Sequence, residues 1–442
     1  MIQLSDHFTY NKLIRFTLPS IAMMIFTSVY VVVDGLFVSN WVGKTPFAAL
    51  NLIWPVIQAL GAIGFMIGTG GSALVAKLLG EGRKEEANSV FSLLIYFAFV
   101  LAVALAALAL FYLRPIAVFF GAEGEMLEYC LRYGRILAVF SVVALLQNMF
   151  PSFLVAAERP KLGLYITLIA GCTNIVLDAL FVAVLGWGLA GAAFATGISQ
   201  LVGGAVPLLY FIRATESPLR LGRAKWNGAA LLKACSNGAS EMMTNLSMSL
   251  VSILYNFQLM RLAGEDGVAA YGVLMYLSFV FIAVFLGYTV GSAPIVSFHY
   301  GAQNDAELQN MLRKSLMLVG ISGLMMVGGS LALAQPLSAV FVGYDKPLLE
   351  MTVRGMRLYS FSFIFTGFNI LGSAFFTALN NGFISALISF LRTLVFQVVA
   401  VIWLPLRFGL DGVWLALIAA EAAAVLVVAA CFIGLRKRYR YW

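Results

Sequence analysis

Apolar residues run along this chain in long unbroken blocks, and polar residues gather in short stretches between them. A membrane-crossing helix needs about 20 consecutive, mostly apolar residues. Twelve blocks meet that length: 13–40, 48–79, 90–113, 129–156, 162–185, 189–212, 231–262, 268–298, 311–334, 352–378, 383–404 and 412–434. Several exceed the bilayer thickness and are expected to tilt or protrude. Barrel strands would instead alternate apolar and polar residues in ten-residue segments. The pattern predicts an all-α polytopic membrane protein of twelve transmembrane helices. Residues 1–12 are polar, and the apolar run after them is too long for the core of a cleavable signal, so it reads as the first span.

The blocks repeat. A shift of 221 residues superposes Gly43 on Gly264, Ala48 and Ala49 on Ala269 and Ala270, Gly70 on Gly291, and Gly80 on Gly301. Further on, Gly188, Leu189 and Gly191 meet Gly409, Leu410 and Gly412. At a shift of 222, Glu128, Arg132 and Arg135 meet Glu350, Arg354 and Arg357. Six spans per half is an even number, so both halves enter the membrane in the same sense, as a parallel repeat about the membrane normal. The expected organisation is a first lobe over 1–212, a polar linker over 213–230 and a second lobe over 231–442. Two such bundles can rock against each other around a central cavity.

Composition supports the bilayer as solvent. Hydrophobic residues make up 62% and charged residues 11% of the chain, against about 25% charged in soluble domains. The net charge of +8 lies in short loops, so it reads as a topology signal and not as a nucleic-acid surface. With the N-terminus inside, 18 of the 28 basic residues fall on the inner side and 9 on the outer, with Arg392 inside a span. Both termini are therefore expected to face the cytoplasm, across a bacterial inner membrane. Cys130, Cys172, Cys235 and Cys431 are scattered singly, and His7 and His299 show no metal-ligand spacing. No resident metal or cofactor is expected, and the chain is read as a monomer.

A charged residue at the bilayer centre costs about 2.5–3.5 kcal/mol on insertion scales, so those that persist usually face a cavity or a partner. Asp34 in helix 1, Asn174 and Asp178 in helix 5, and Thr196 in helix 6 all fall roughly 10 Å below the outer boundary at 1.5 Å per residue. Asn174 and Asp178 are one turn apart and share a helix face. At offset 221 their counterparts are Tyr255, Val395, Val399 and Leu417, so the second lobe lacks these carboxylates. Two neighbouring carboxylates titrate as a coupled pair; such a pair could carry protons, or could hold Na⁺ with nearby oxygens. A purely structural hydrogen-bond cluster is the other reading. In the second half, Arg392 and Glu421 suggest a structural ion pair, and Glu241 either neutralises a cationic substrate or balances Arg392.

Met23, Phe26 and Tyr30 form a stripe on helix 1 leading to Asp34. With Gln147, Asn148, Phe150 and Phe153 of helix 4 they are candidates for an adaptable wall that binds apolar ligands. Pro19 should kink helix 1.

These marks resemble the multidrug and toxic compound extrusion (MATE) family, within it the prokaryotic MepA-like branch. The resemblance rests on Val33-Asp34-Gly35-Leu36-Phe37-Val38, on Gly80-Glu81-Gly82-Arg83, on Asn174-Ile175-Val176-Leu177-Asp178, and on Gly188-Leu189-Ala190-Gly191 with Ala195-Thr196. It implies two six-helix lobes around a V-shaped cavity. It also implies export of amphipathic, often cationic compounds in exchange for H⁺ or Na⁺, with Asp34, Asn174, Asp178 and Thr196 as the ion site and Tyr30 beside it. One departure is Ala157-Glu158-Arg159-Pro160-Lys161, where a glycine would be expected before the proline. The alternatives are a flippase for lipid-linked precursors, which would favour a cationic cavity, or export of a non-drug metabolite. A membrane-embedded prenyl or acyl transferase would need paired acidic metal motifs or a reactive histidine, and the sequence offers neither.

Overall fold

The computed structural model describes residues 2–42, 44–213 and 217–442, and their side chains except at 32, 35–40, 44–45, 47–48, 51 and 54–55. Gly43 of the repeat and residues 214–216 of the linker lie outside the described residues, as do the side chains of Ala48 and of the Gly35 to Val38 motif. The first half holds α1 (Tyr10–Trp41), α2 (Lys44–Gly80), α3 (Lys84–Phe119), α4 (Gly124–Ala156), α5 (Pro160–Asp178) and α6 (Gly188–Arg213). In the second half, α7 and α8 share the helical stretch Gly228–Gly301, broken at Gly264 (φ 63°, ψ −149°). Next come α9 (Asp305–Val342) and α10, whose two parts Lys346–Ser360 and Phe363–Ala378 are bent by 50°. Helices α11 and α12 occupy Gly382–Tyr439, with Gly409 (φ 55°, ψ −133°) between them.

Contacts show that both long stretches double back. Gly70 of α2 lies against Ala234 and Gly238, while Gly80 at the end of α2 lies against Phe298. Both ends of Gly228–Gly301 therefore lie alongside the latter half of α2. Likewise Asn381, just before α11, donates to the Tyr439 hydroxyl at the end of α12. A single left-handed glycine makes each reversal, a conformation that costs other residues a Cβ clash. Counted this way there are twelve spans, as the apolar blocks predict, and no strand among the described residues. The described start and end of the chain lie on one face, here called the terminal face: Phe8 bonds Glu307 and Asn310 in the first turns of α9, and Gln309 beside them donates to the Arg440 carbonyl.

The backbone carries the repeat as well. Left-handed residues recur at Gly82 and Gln303, at Glu158 and Asn380, and at Gly188 and Gly409, at offsets of 221, 222 and 221. Four second-half helices begin with a side chain of Asn227, Asn304, Asp345 or Asn381 accepting the N–H three residues on, which satisfies an otherwise free donor of the first turn. The described part of the linker is pinned to α3. The N–H groups of Arg220, Gly222 and Lys225 donate to Asn88, Ser92 and Ser89.

The lobes meet closely near the terminal face. Gly70 and Gly238 face each other, Gly80 and Gly301 pack on Phe298 and Lys77, and Gly287 and Gly291 pack on Ile21 and Thr17. A Cβ at Gly238 would stand 1.9 Å from the Met66 carbonyl oxygen. Among the described residues every such inter-lobe glycine contact lies in the half of the molecule nearer the termini. Toward the other face, glycines pack within their own lobe, as Gly171 does on Phe26 and Gly412 on Leu404. The apolar core of the second lobe also takes in Leu4, Phe8, Leu13 and Phe16 from the start of the chain.

Candidate functional site

The first-lobe polar group is built where α1 and α5 cross. Gly171 makes the approach: a Cβ there would stand 2.3 Å from Phe26 Cε1 and 3.2 Å from Tyr30 Cδ1. One turn further along, α5 presents Asn174 and then Asp178, both fully buried. At Asp178 the helix widens into a π-helical turn, Ala179–Val184. Such turns are frequent at functional sites because they disturb the hydrogen-bond ladder locally.

The carboxyl of Asp34 lies within interacting range of the Asp178 carboxyl and the Asn174 side chain. Yet Asp34 Oδ1, Asn174 Oδ1 and both carboxylate oxygens of Asp178 make no hydrogen bond of sound geometry among the described residues. On α6, Thr196 Oγ1 and Gln200 Oε1, one turn apart, are likewise buried and unpartnered. Buried polar atoms ordinarily find partners, and each exception calls for a reason. Here the carboxylate and amide oxygens are acceptors, and carboxylate and carbonyl oxygens suit a proton or a hard cation. No three His, Cys, Asp or Glu side chains converge as a metal site among the described residues.

Two residues of this lobe with buried polar groups were not singled out from the sequence. The Tyr133 side chain on α4, buried, is within electrostatic reach of both Asp34 and Asp178. Gln200 carries only a spacing signal, four residues after Thr196. Tyr30 is within electrostatic reach of Asp34, and its ring lies 6.0 Å from that of Phe26. Met23 is buried toward α5, with Sδ near Gly163.

The helix 4 candidates separate. Gln147 packs on Gly203 and lines a small cleft with Gly163, Ile166 and Thr167. Asn148 instead donates to the Gly61 carbonyl at 3.3 Å, tying α4 to α2. Phe150 lines the same cleft as Gln147, and both Phe150 and Phe153 also pack into the core of the first lobe. Both are fully buried, with ring centroids 5.8 Å from Phe211 and 5.0 Å from Phe91 respectively. A helix that is apolar on every side gives no sequence cue to tell a cavity face from a core face.

In the second lobe, Arg392 Nε donates to both oxygens of Glu421, at 2.9 and 3.0 Å. Asn369 Nδ2 adds a 2.6 Å bond to the same carboxylate. Arg392 lies in a second π-helical turn, Leu391–Val395. Glu241 is within electrostatic reach of Arg392 but not paired with it in the way Glu421 is. The repeat counterparts need one correction. Val399 is 52% exposed where Asp178 is fully buried, and the Glu158–Asn380 match sets the offset entering α11 at 222. At either offset, or one residue beyond, the counterparts of Asn174 and Asp178 fall within Val395–Val401, a stretch without a carboxylate. Tyr255, opposite Asp34 in the repeat, stacks on Tyr271 at 4.9 Å.

Comparison with known proteins agrees with this architecture. The MatE family model matches residues 19–180 and again 242–403, once in each half. The multidrug export protein MepA of Staphylococcus aureus (strain MRSA252) is 22% identical over 424 residues, covering 95% of this chain and 93% of the relative. Its Staphylococcus saprophyticus counterpart is 23% identical over 430 residues, with the same coverage. Among solved structures, an outward-facing multidrug resistance MATE family transporter superposes with a TM-score of 0.91 at 23% identity, covering 98% of this chain and 96% of that one. A Pyrococcus furiosus MOP superfamily transporter, described as having a binding pocket of reversed polarity, gives 0.90 at 23% identity, with 98% and 96% covered. At these identities the structures speak for the fold, and the family model, matched in both halves, speaks for descent: the chain belongs to the MatE family of multi-pass membrane transporters.

Proposed function

We propose that this protein is a secondary antiporter of a bacterial inner membrane that exports amphipathic, often cationic compounds in exchange for H⁺ or Na⁺ by alternating access. The observation that carries the reading is the group of Asp34, Asn174 and Asp178, buried in one lobe of two and surrounded by unpartnered acceptor oxygens. A proton or a sodium ion would satisfy those oxygens, and its loss would leave two carboxylates repelling each other. Tyr30 and Phe26 stand beside the acids on α1 and place an aromatic surface where a flat cation would be favoured. The second lobe, with stacked tyrosines in place of Asp34, would act as scaffold for the rocking motion.

With both termini in the cytoplasm, the glycine-lined contact between lobes closes the cytoplasmic side, and the site is reached from outside. The relatives named as multidrug exporters support this substrate class. A flippase for lipid-linked pyrophosphates is less well supported, because both bonds of the Arg392 Nε–H go to Glu421. The test is uptake of a fluorescent organic cation into proteoliposomes, with proton and sodium gradients imposed separately. Movement driven by either gradient supports antiport and names the ion. Movement under neither, for any of a panel of organic cations, overturns it.

A further inference from the structure

Residues 2–8 do more than lead into α1. Leu4 and Phe8 are fully buried in the apolar core of the second lobe. Between and beside them the main chain is held by two acids from different lobes. The Leu4 N–H donates to Glu158 Oε1 at 2.7 Å, and Glu158 lies in the turn between α4 and α5. The Phe8 N–H donates to Glu307 Oε1 at 2.9 Å, and Glu307 lies in the first turn of α9. His7 Nδ1 bonds the other Glu307 oxygen at 2.6 Å, and Asn310 donates to the Phe8 carbonyl at 3.0 Å. Hydrogen bonds to ionised acceptors are the stronger kind.

Glu158, just past the end of α4, has an unusual conformation. Its φ of +61° is left-handed, a region that favours glycine or asparagine, and the equivalent turn of the second lobe has Asn380 there. This is the turn in which family resemblance led to the expectation of a glycine. Burial also pushes the Glu158 carboxyl up from its ordinary range, only partly opposed by the Leu4 N–H. Glu158, half-buried and left-handed in its backbone, thus spends its side chain on the Leu4 N–H of the N-terminal segment.

We propose that residues 3–8 form a latch across the terminal face, with Glu158 and Glu307 as its posts on opposite lobes. The lobes cannot part on that face while both posts are engaged, so the latch biases the balance between the two open states. It acts by position and touches neither the ion nor the cargo. The inference rests on alternating access but not on what is carried.

The experiment therefore reads opening directly, without any transported compound. Spin labels replace the exposed Lys84 and Lys437, on terminal-face ends of the two lobes, in protein whose four native cysteines are exchanged for alanine. Distance distributions are measured in lipid nanodiscs. Glu158→Gly removes the post and relieves the left-handed strain. It should raise the population of the lobes-apart state at least several-fold while thermal stability stays equal or rises. Glu307→Ala should shift the distribution the same way. Glu158→Gln keeps an acceptor for the Leu4 N–H and should retain the parent distribution. An unchanged distribution in Glu158→Gly, or Glu158→Gln opening as far as Glu158→Gly, overturns the latch. Absence of ion-driven transport with these shifts intact would count against antiport and leave the latch standing.

Discussion

A single methyl group at Gly238 should tip the protein toward opening on its terminal face. A Cβ there would lie 1.9 Å from the Met66 carbonyl oxygen and 2.7 Å from its carbon, where real Cβ contacts essentially never fall below 3.0 Å. The helices must separate by at least about 1 Å, and because the clashing atoms are main chain no rotamer change relieves them. Overpacking of this sort costs roughly 1–3 kcal/mol. Since parting the lobes removes the clash, the cost falls on the closed state alone. It becomes a shift of about 5- to 150-fold in the closed-to-open ratio. The spin-label pair at Lys84 and Lys437 reads that ratio, and proteoliposome uptake reads its effect on turnover. Gly328→Ala is the control. Nothing lies within 4 Å of a Cβ there, and alanine should stabilise that helix by up to about 1 kcal/mol without moving the ratio. If Gly238→Ala leaves both the distance distribution and transport at parent levels, the glycine contact is not the closure it is argued to be.

Other expectations follow from the same geometry. Asp34→Asn and Asp178→Asn should each abolish gradient-driven export while leaving membrane expression intact; ordinary drug resistance in cells carrying either variant would end the coupling assignment. Glu421→Ala leaves Arg392 buried without its partner and should cost about 3–5 kcal/mol, read as a lower unfolding temperature in detergent. The paired change Arg392→Met with Glu421→Leu should recover most of that loss, because it removes both charges together. Gly171→Ala places a methyl 2.3 Å from the Phe26 ring. The ring must turn, so apparent affinity for aromatic cations should change while the ion dependence of transport is kept; unchanged affinity would place Phe26 away from the cargo.

Much of this was legible in the chain because the bilayer imposes a coarse rule. Long apolar blocks must be helices, so twelve spans, two lobes and the isolated carboxylates could be read from hydropathy and spacing alone. What hydropathy does not carry is direction around a helix. Phe153 looks the same in sequence whether it lines a cavity or fills a core, and its packing on the Phe91 ring is what hydropathy does not carry. Neutral polar residues such as Gln200 and Tyr133 carry no charge and so stand out less than the acids do. The π turns after Asp178 and at Arg392, and the 50° bend in α10, have no residue signature. The strap was unreadable because its bonds join main chain to acids 154 and 299 residues away. The one trace was Glu158 standing where a glycine was expected.

If the acid site binds the proposed coupling ion, its occupancy must be felt where the lobes touch, and α1 reaches both places. Near its far end Asp34 meets Asp178 and Asn174. Near its beginning Thr17, Ser20 and Ile21 pack against Gly287 and Gly291 of the second lobe. Just before it lies the strap held by Glu158 and Glu307. Pro19 stands within the lobe contact itself and removes a backbone hydrogen bond there. A ligand shifts an equilibrium only through different interaction energies with the two states. Moving α1 changes those energies in three places at once: the separation of two carboxylates, the seating of the glycine contact and the reach of the strap. Severing the strap by Glu158→Gly should therefore weaken closure without altering the ion chemistry at Asp34. Asp34→Asn should do the reverse, and the two changes combined should be additive unless α1 transmits between them. A measured non-additivity in the lobes-apart population is the signature of transmission through α1, and strict additivity would locate the coupling elsewhere.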